Sequence, residues 1–144
     1  MRDDRGETLL ELLVAVAVMG IALVAVVGGL AVSVLVSDTH RKQATSGASV
    51  RDYAEAVEAT VAAGGYVACA SPATYAGYAA PAGYARSVVR VDHWNGSAWQ
   101  SACPAADRGL QRLTLQVASD DGRAVERLVV VLRKPCGTGD APCA

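Results

Sequence analysis

From Leu12 to Ser37 the chain holds 26 consecutive residues without a formal charge, and they are apolar on every helical face. As a helix rising about 1.5 Å per residue, such a run spans roughly 39 Å. That exceeds the roughly 30 Å hydrocarbon core of a bilayer. A soluble domain would have to wrap so uniform a helix on every side, and the residues beyond position 37 are too few to do so. The pattern predicts a single membrane-spanning helix.

After Ser37 the period changes. Val50, Ala54, Val57 and Val61 recur at helical spacing with Tyr53 on the same face, while Arg51, Asp52, Glu55 and Glu58 take the others. This predicts an amphipathic continuation over 38–63, kinked at Gly47 within ATSGAS and ended by Gly64-Gly65. From Tyr66 to Arg86 the chain turns to Ala, Gly, Pro and Tyr, which reads as a loop. Tyr75, Tyr78 and Tyr84 either form an exposed surface for a partner or fold back over the sheet. Val88–Trp94 reads as a strand, with Asn95-Gly96 as a tight hairpin turn into Ser97–Gln100. Leu113, Leu115 and Val117 alternate with polar neighbours, and Val125–Arg133 follows a turn holding Asp120, Asp121 and Gly122. The expected fold class is α+β: one long helix with a small antiparallel sheet of about four strands packed on its amphipathic half.

Composition agrees with this division. The chain has 144 residues, 52% hydrophobic and only 19% charged, and with Phe absent the excess is Val, Ala and Leu. A net charge of -1 gives no sign of a nucleic-acid partner. Gly20, Gly28 and Gly29 interrupt the apolar helix, where they serve close helix packing or a local loosening.

One ionisable residue, Glu11, lies just inside the apolar run. An acid in a span is costly and is a functional-site hypothesis by default; the alternative is an interfacial side chain that snorkels to water. A cleavable secretory signal, with an apolar stretch of about 7 to 15 residues, does not describe this run. The string Gly6-Glu7-Thr8-Leu9-Leu10-Glu11, followed by LLVAVAVMGIALVAVVGGL, resembles the N-terminal signature of type IV pilins and the pseudopilins of type II secretion.

The resemblance implies a leader over 1–6, cut by a prepilin peptidase between Gly6 and Glu7. A transmembrane and assembly helix over 7–37, the extension over 38–63 and a head over 64–144 would follow. It makes Glu11 the family's glutamate, which neutralises the freed α-amine of a neighbouring subunit, since a paired charge is tolerable in lipid where two isolated ones are not. Position 7 holds Glu where the family usually has an N-methylated Phe or Met. The implied protein is a structural minor pilin or pseudopilin, not an enzyme and without a cofactor. Its partners would be the peptidase, other subunits, the inner-membrane assembly platform and the bilayer. The alternative is a signal-anchored extracytoplasmic binding domain that never assembles, which would need neither Gly6 nor Glu11.

Orientation rests on the cysteines, because Arg2 and Arg5 before the span are matched by Arg41 and Lys42 after it. Cys69, Cys103, Cys136 and Cys143 all follow the span, and none forms a CxxC pair. With only His40 and His93 as imidazoles, zinc spacing is lacking. An even count behind a membrane anchor favours disulfides in an oxidising exterior. Of three connectivities, Cys69 with Cys103 and Cys136 with Cys143 is favoured. No nucleophile-elbow string accompanies the serines and His93. Asp120-Asp121-Gly122 lacks the spaced ligands of a calcium loop, and Asn95-Gly96-Ser97 fits a glycosylation pattern that a turn also explains.

Overall fold

The computed structural model describes residues 7–136, and the chain divides into two compact units between His40 and Arg41. The first unit is helical throughout its described residues and belongs to α1, Glu7–Thr60. In the second unit α1 carries the stripe expected of it: Val50, Tyr53, Ala54, Val57 and Val61 are all buried. Gly47 does not kink the helix, which runs unbroken through it. Ser46 and Ser49 on either side are buried, so tertiary packing holds a turn that glycine alone would weaken.

The helix ends where the sequence indicates, through a π-helical turn over Val61–Gly65. Gly64 takes a φ of 92°, a left-handed conformation that glycine enters without steric cost. At Gly65 a Cβ would lie 2.7 Å from the carbonyl oxygen of Thr60, so no side chain fits there.

Four strands form one antiparallel sheet: β1 Tyr84–Trp94, β2 Trp99–Gln100, β3 Leu110–Ser119 and β4 Val125–Arg133, in the order β2-β1-β3-β4. In β3, Leu113, Leu115 and Val117 are fully buried, as their alternation predicts. Leu113 lies between Val91 and Val130, and Leu115 between Val88 and Leu128. These side chains join the apolar stripe of α1 in a single core.

β1 begins at Tyr84, four residues before the predicted strand, because pairing with β3 from Ser119 to Gln116 recruits Tyr84–Ser87 despite their weak alternation. The register shifts between Val88 and Arg90, a bulge that turns Val89 outward.

The hairpin expected at Asn95-Gly96 differs in form. Trp94 pairs with Trp99, so the connection takes four residues, Asn95–Ala98, and β2 starts only at Trp99. Asn95 Oδ1 accepts the N–H groups of Ser97 and Ala98, both at 2.8 Å, and this side-chain acceptor stabilises a longer loop than a two-residue turn.

Candidate functional site

The described side chains of the first unit present an exposed apolar surface. Every described large aliphatic side chain from Leu9 to Val36 is exposed, from 47% at Val36 to 75% at Val24. This surface encircles the helix, and the helix is long and apolar enough to cross a membrane. A Cβ at Gly20, Gly28 or Gly29 would meet nothing within 4 Å among the described residues.

Of the predicted processing and assembly residues, Gly6 lies outside the described residues, as does the rest of the 1–6 leader. Glu7 is the first residue of α1. Glu11 is exposed one turn later among uncovered leucines, and four residues of spacing place it on the helix face of position 7.

In the second unit, Cys69 and Cys103 are joined by a disulfide with a Cα–Cα separation of 5.4 Å, the pairing favoured from sequence. Cys136 is disulfide-bonded too, while Cys143 lies outside the described residues. The bridge ties the loop after α1, and Asp107 ties it again: its carboxylate accepts the Cys69 N–H at 2.8 Å, the Gly109 N–H at 2.5 Å and the Tyr66 hydroxyl at 2.9 Å. The Gln111 amide reaches it at 3.4 Å. Burial would raise the Asp107 pKa, but these donors prevail and hold it below the usual carboxylate range. The Tyr66 hydroxyl is correspondingly raised, by burial first and then by Asp107.

The network continues inward. Gln111, fully buried, donates to the Val67 carbonyl at 2.8 Å and accepts the Tyr75 hydroxyl at 3.3 Å. Tyr53 donates to the Tyr75 carbonyl at 2.8 Å and stacks on Tyr78 with ring centroids 5.0 Å apart. The loop tyrosines therefore fold back onto the core rather than forming an open surface: Tyr75 is buried, and Tyr78 and Tyr84 pack against the core partly covered.

A second polar cluster lies across the sheet. Asp92, 2% exposed, pairs with Arg90 at 2.5 Å and with Arg112 at 2.8 Å. The Arg112 guanidinium also lies 5.0 Å from the Trp99 ring centroid. Burial acts to raise the Asp92 pKa, and the two arginines outweigh it, leaving it lowered. Nothing in the sequence marked Asp92, Asp107 or Gln111, which sit in a strand, in a loop and at a strand start.

His93 is buried with Nδ1 unpartnered, and among the described residues no group of three or more His, Cys, Asp or Glu could hold a metal ion. Asp120-Asp121-Gly122 forms the β3–β4 turn, with Gly122 at a φ of 70°.

Residues 1–27 match the family model of the prokaryotic N-terminal methylation motif. No curated protein and no solved structure matches the chain. The matched segment contains Gly6, Glu7 and Glu11 and runs into the exposed apolar helix that begins at Leu9. The chain thus carries the prokaryotic N-terminal methylation motif, the signal of type IV pilins and pseudopilins.

Proposed function

We propose that the chain is a structural subunit, a minor pilin or pseudopilin. A prepilin peptidase cuts it after Gly6, and it passes from the cytoplasmic membrane into a type IV pilus or type II secretion pseudopilus. The methylation motif over residues 1–27 carries this reading. The uncovered helix behind it supports the reading, because an apolar surface of that extent needs lipid before assembly and neighbouring helices afterwards. Glu11 pairs with the α-amine of a neighbour's Glu7, setting the register of one subunit on the next. The head lies outside the cytoplasm, where the Cys69–Cys103 bridge is stable against reduction.

Processing tests the proposal directly. Protein isolated from cells with an active prepilin peptidase begins at Glu7 by N-terminal mass analysis, and Gly6→Val leaves the precursor uncut. An intact Met1 terminus in the wild type would overturn the reading.

A further inference from the structure

The side-chain hydrogen bonds that hold the β1–β2 turn also place a carboxamide beside an exposed glycine. Asn95 Oδ1 accepts three hydrogen bonds: the N–H groups of Ser97 and Ala98 at 2.8 Å, and the Ser97 hydroxyl at 3.0 Å. Asn95 Nδ2 donates to Gln100 Oε1 at 3.2 Å. The next residue, Gly96, is exposed at a φ of 109° and has no side chain to shield its backbone nitrogen. A Cβ at Gly96 would lie 3.6 Å from Cζ of Arg108, so that guanidinium runs alongside the glycine backbone. Among the described residues Arg108 makes no ion pair.

We propose that this turn is a self-modification site, at which the Gly96 backbone nitrogen attacks Asn95 Cγ and converts Asn95 to aspartate or isoaspartate. The Gly96 amide proton passes to solvent hydroxide, and the nitrogen lone pair forms the N–Cγ bond. The electron pair of the Cγ–Oδ1 double bond moves onto Oδ1. That oxygen already receives three donors, an arrangement that stabilises the developing oxyanion without reorganisation. Collapse breaks the Cγ–Nδ2 bond, and Nδ2 takes a proton from water and leaves as ammonia. The five-membered succinimide is then opened by water at one of its two carbonyls. The net reaction consumes one water, releases ammonia and needs no oxidant or reductant. The positive field of Arg108 favours deprotonation of the Gly96 amide and faces the carboxylate that results. Opening to isoaspartate adds a methylene to the main chain inside the turn that sets the pairing of Trp94 with Trp99.

The test follows the purified full chain in detergent at neutral pH and physiological temperature. Samples are reduced and cut with trypsin, and the peptide Val91–Arg108 is weighed, or Val91–Arg112 where Arg108→Gln removes the cleavage site. In the wild type this peptide gains one mass unit over time and splits into two chromatographic products, with matching release of ammonia. Arg108→Gln slows the gain about threefold, and Ser97→Ala, which removes one oxyanion donor, slows it about tenfold. Asn95→Gln, whose longer side chain would have to close a six-membered ring, shows none. The folded chain reacts faster than the same chain unfolded in urea. An unchanged wild-type mass over weeks, equal rates for wild type and Arg108→Gln, or an unfolded rate at or above the folded one would overturn the proposal. The chemistry needs no filament, so its failure leaves the assembly reading untouched.

Discussion

Lys42 donates to Asp121 at 2.5 Å, tying helix α1 to the β3–β4 turn across 79 residues of sequence. The Ser119 hydroxyl and the Arg123 N–H reach the same carboxylate at 2.7 and 3.2 Å. Lys42 is the first contributor to the lowered Asp121 pKa, ahead of Ser119 and Arg123. Such a group contributes stability above its unfolded pKa and loses it as pH falls through the folded one. Lys42→Ala and Asp121→Asn should each weaken the head slightly at neutral pH, with less than additive effects in the double variant. Added salt should shrink the difference from wild type, as expected of a solvent-exposed pair. Urea midpoints at two ionic strengths measure this.

Asp107 should matter more, because it is half-buried and three other groups depend on it. Asp107→Ala leaves the Tyr66 hydroxyl, the Cys69 N–H and the Gly109 N–H without that acceptor. The expected cost is about 3 kcal/mol of unfolding free energy, read from urea denaturation at neutral pH. Its folded pKa is depressed, so its contribution is complete above the unfolded value of about 3.9 and vanishes as pH falls through the folded one. The wild type should therefore lose stability more steeply below pH ~4 than Asp107→Ala does.

The Cys69–Cys103 bridge spans 34 positions, for which the loop-entropy relation gives about 4 kcal/mol of stabilisation. Cys69→Ser with Cys103→Ser should lower the urea midpoint accordingly while the sheet persists by circular dichroism. Combining this with Asp107→Ala should show coupling, since both ties hold the backbone at Cys69.

Arg112→Lys is expected to fold but to cost about 2 kcal/mol. Lysine keeps the charge near Asp92 and loses both the Nε and Nη2 contacts and the stacking on Trp99. Arg112→Met, which leaves the buried Asp92 with Arg90 alone, should cost more, about 3 kcal/mol. A milder effect in Arg112→Met than in Arg112→Lys would contradict the pairing.

Glu11→Ala separates assembly from simple anchoring. The variant should still insert and be cleaved, because removing an acid lowers the cost of a span. On the proposed pairing its incorporation into sheared filaments should drop, because losing Glu11 would leave a neighbour's terminal amine unpaired at a cost of about 3 to 5 kcal/mol. Equal membrane levels together with equal incorporation for wild type and variant would return Glu11 to an interfacial role.

The sequence by itself determined the elements whose reasons are local. An uncharged run from Leu12 to Ser37 admits little but a helix, the stripe from Val50 to Val61 marks the face that is buried, and Gly64-Gly65 stops the helix. Alternation identified β3, and β4 occupies the predicted residues, Val125–Arg133. Periodicity reports which side of an element meets the core, and that information is carried by each residue and its near neighbours. What only the tertiary structure decided depends on partners distant in sequence. Tyr84–Ser87 become strand because β3 lies beside them, and Gly47 stays helical because its neighbours are packed. Asp107 gains its role from Cys69 and Tyr66, 38 and 41 positions away, and Asp92 is covered by Arg112, 20 positions on. A polar side chain in sequence looks the same whether it ends in water or in a network. The difference is the desolvation that folding imposes and the donors that folding brings to meet it.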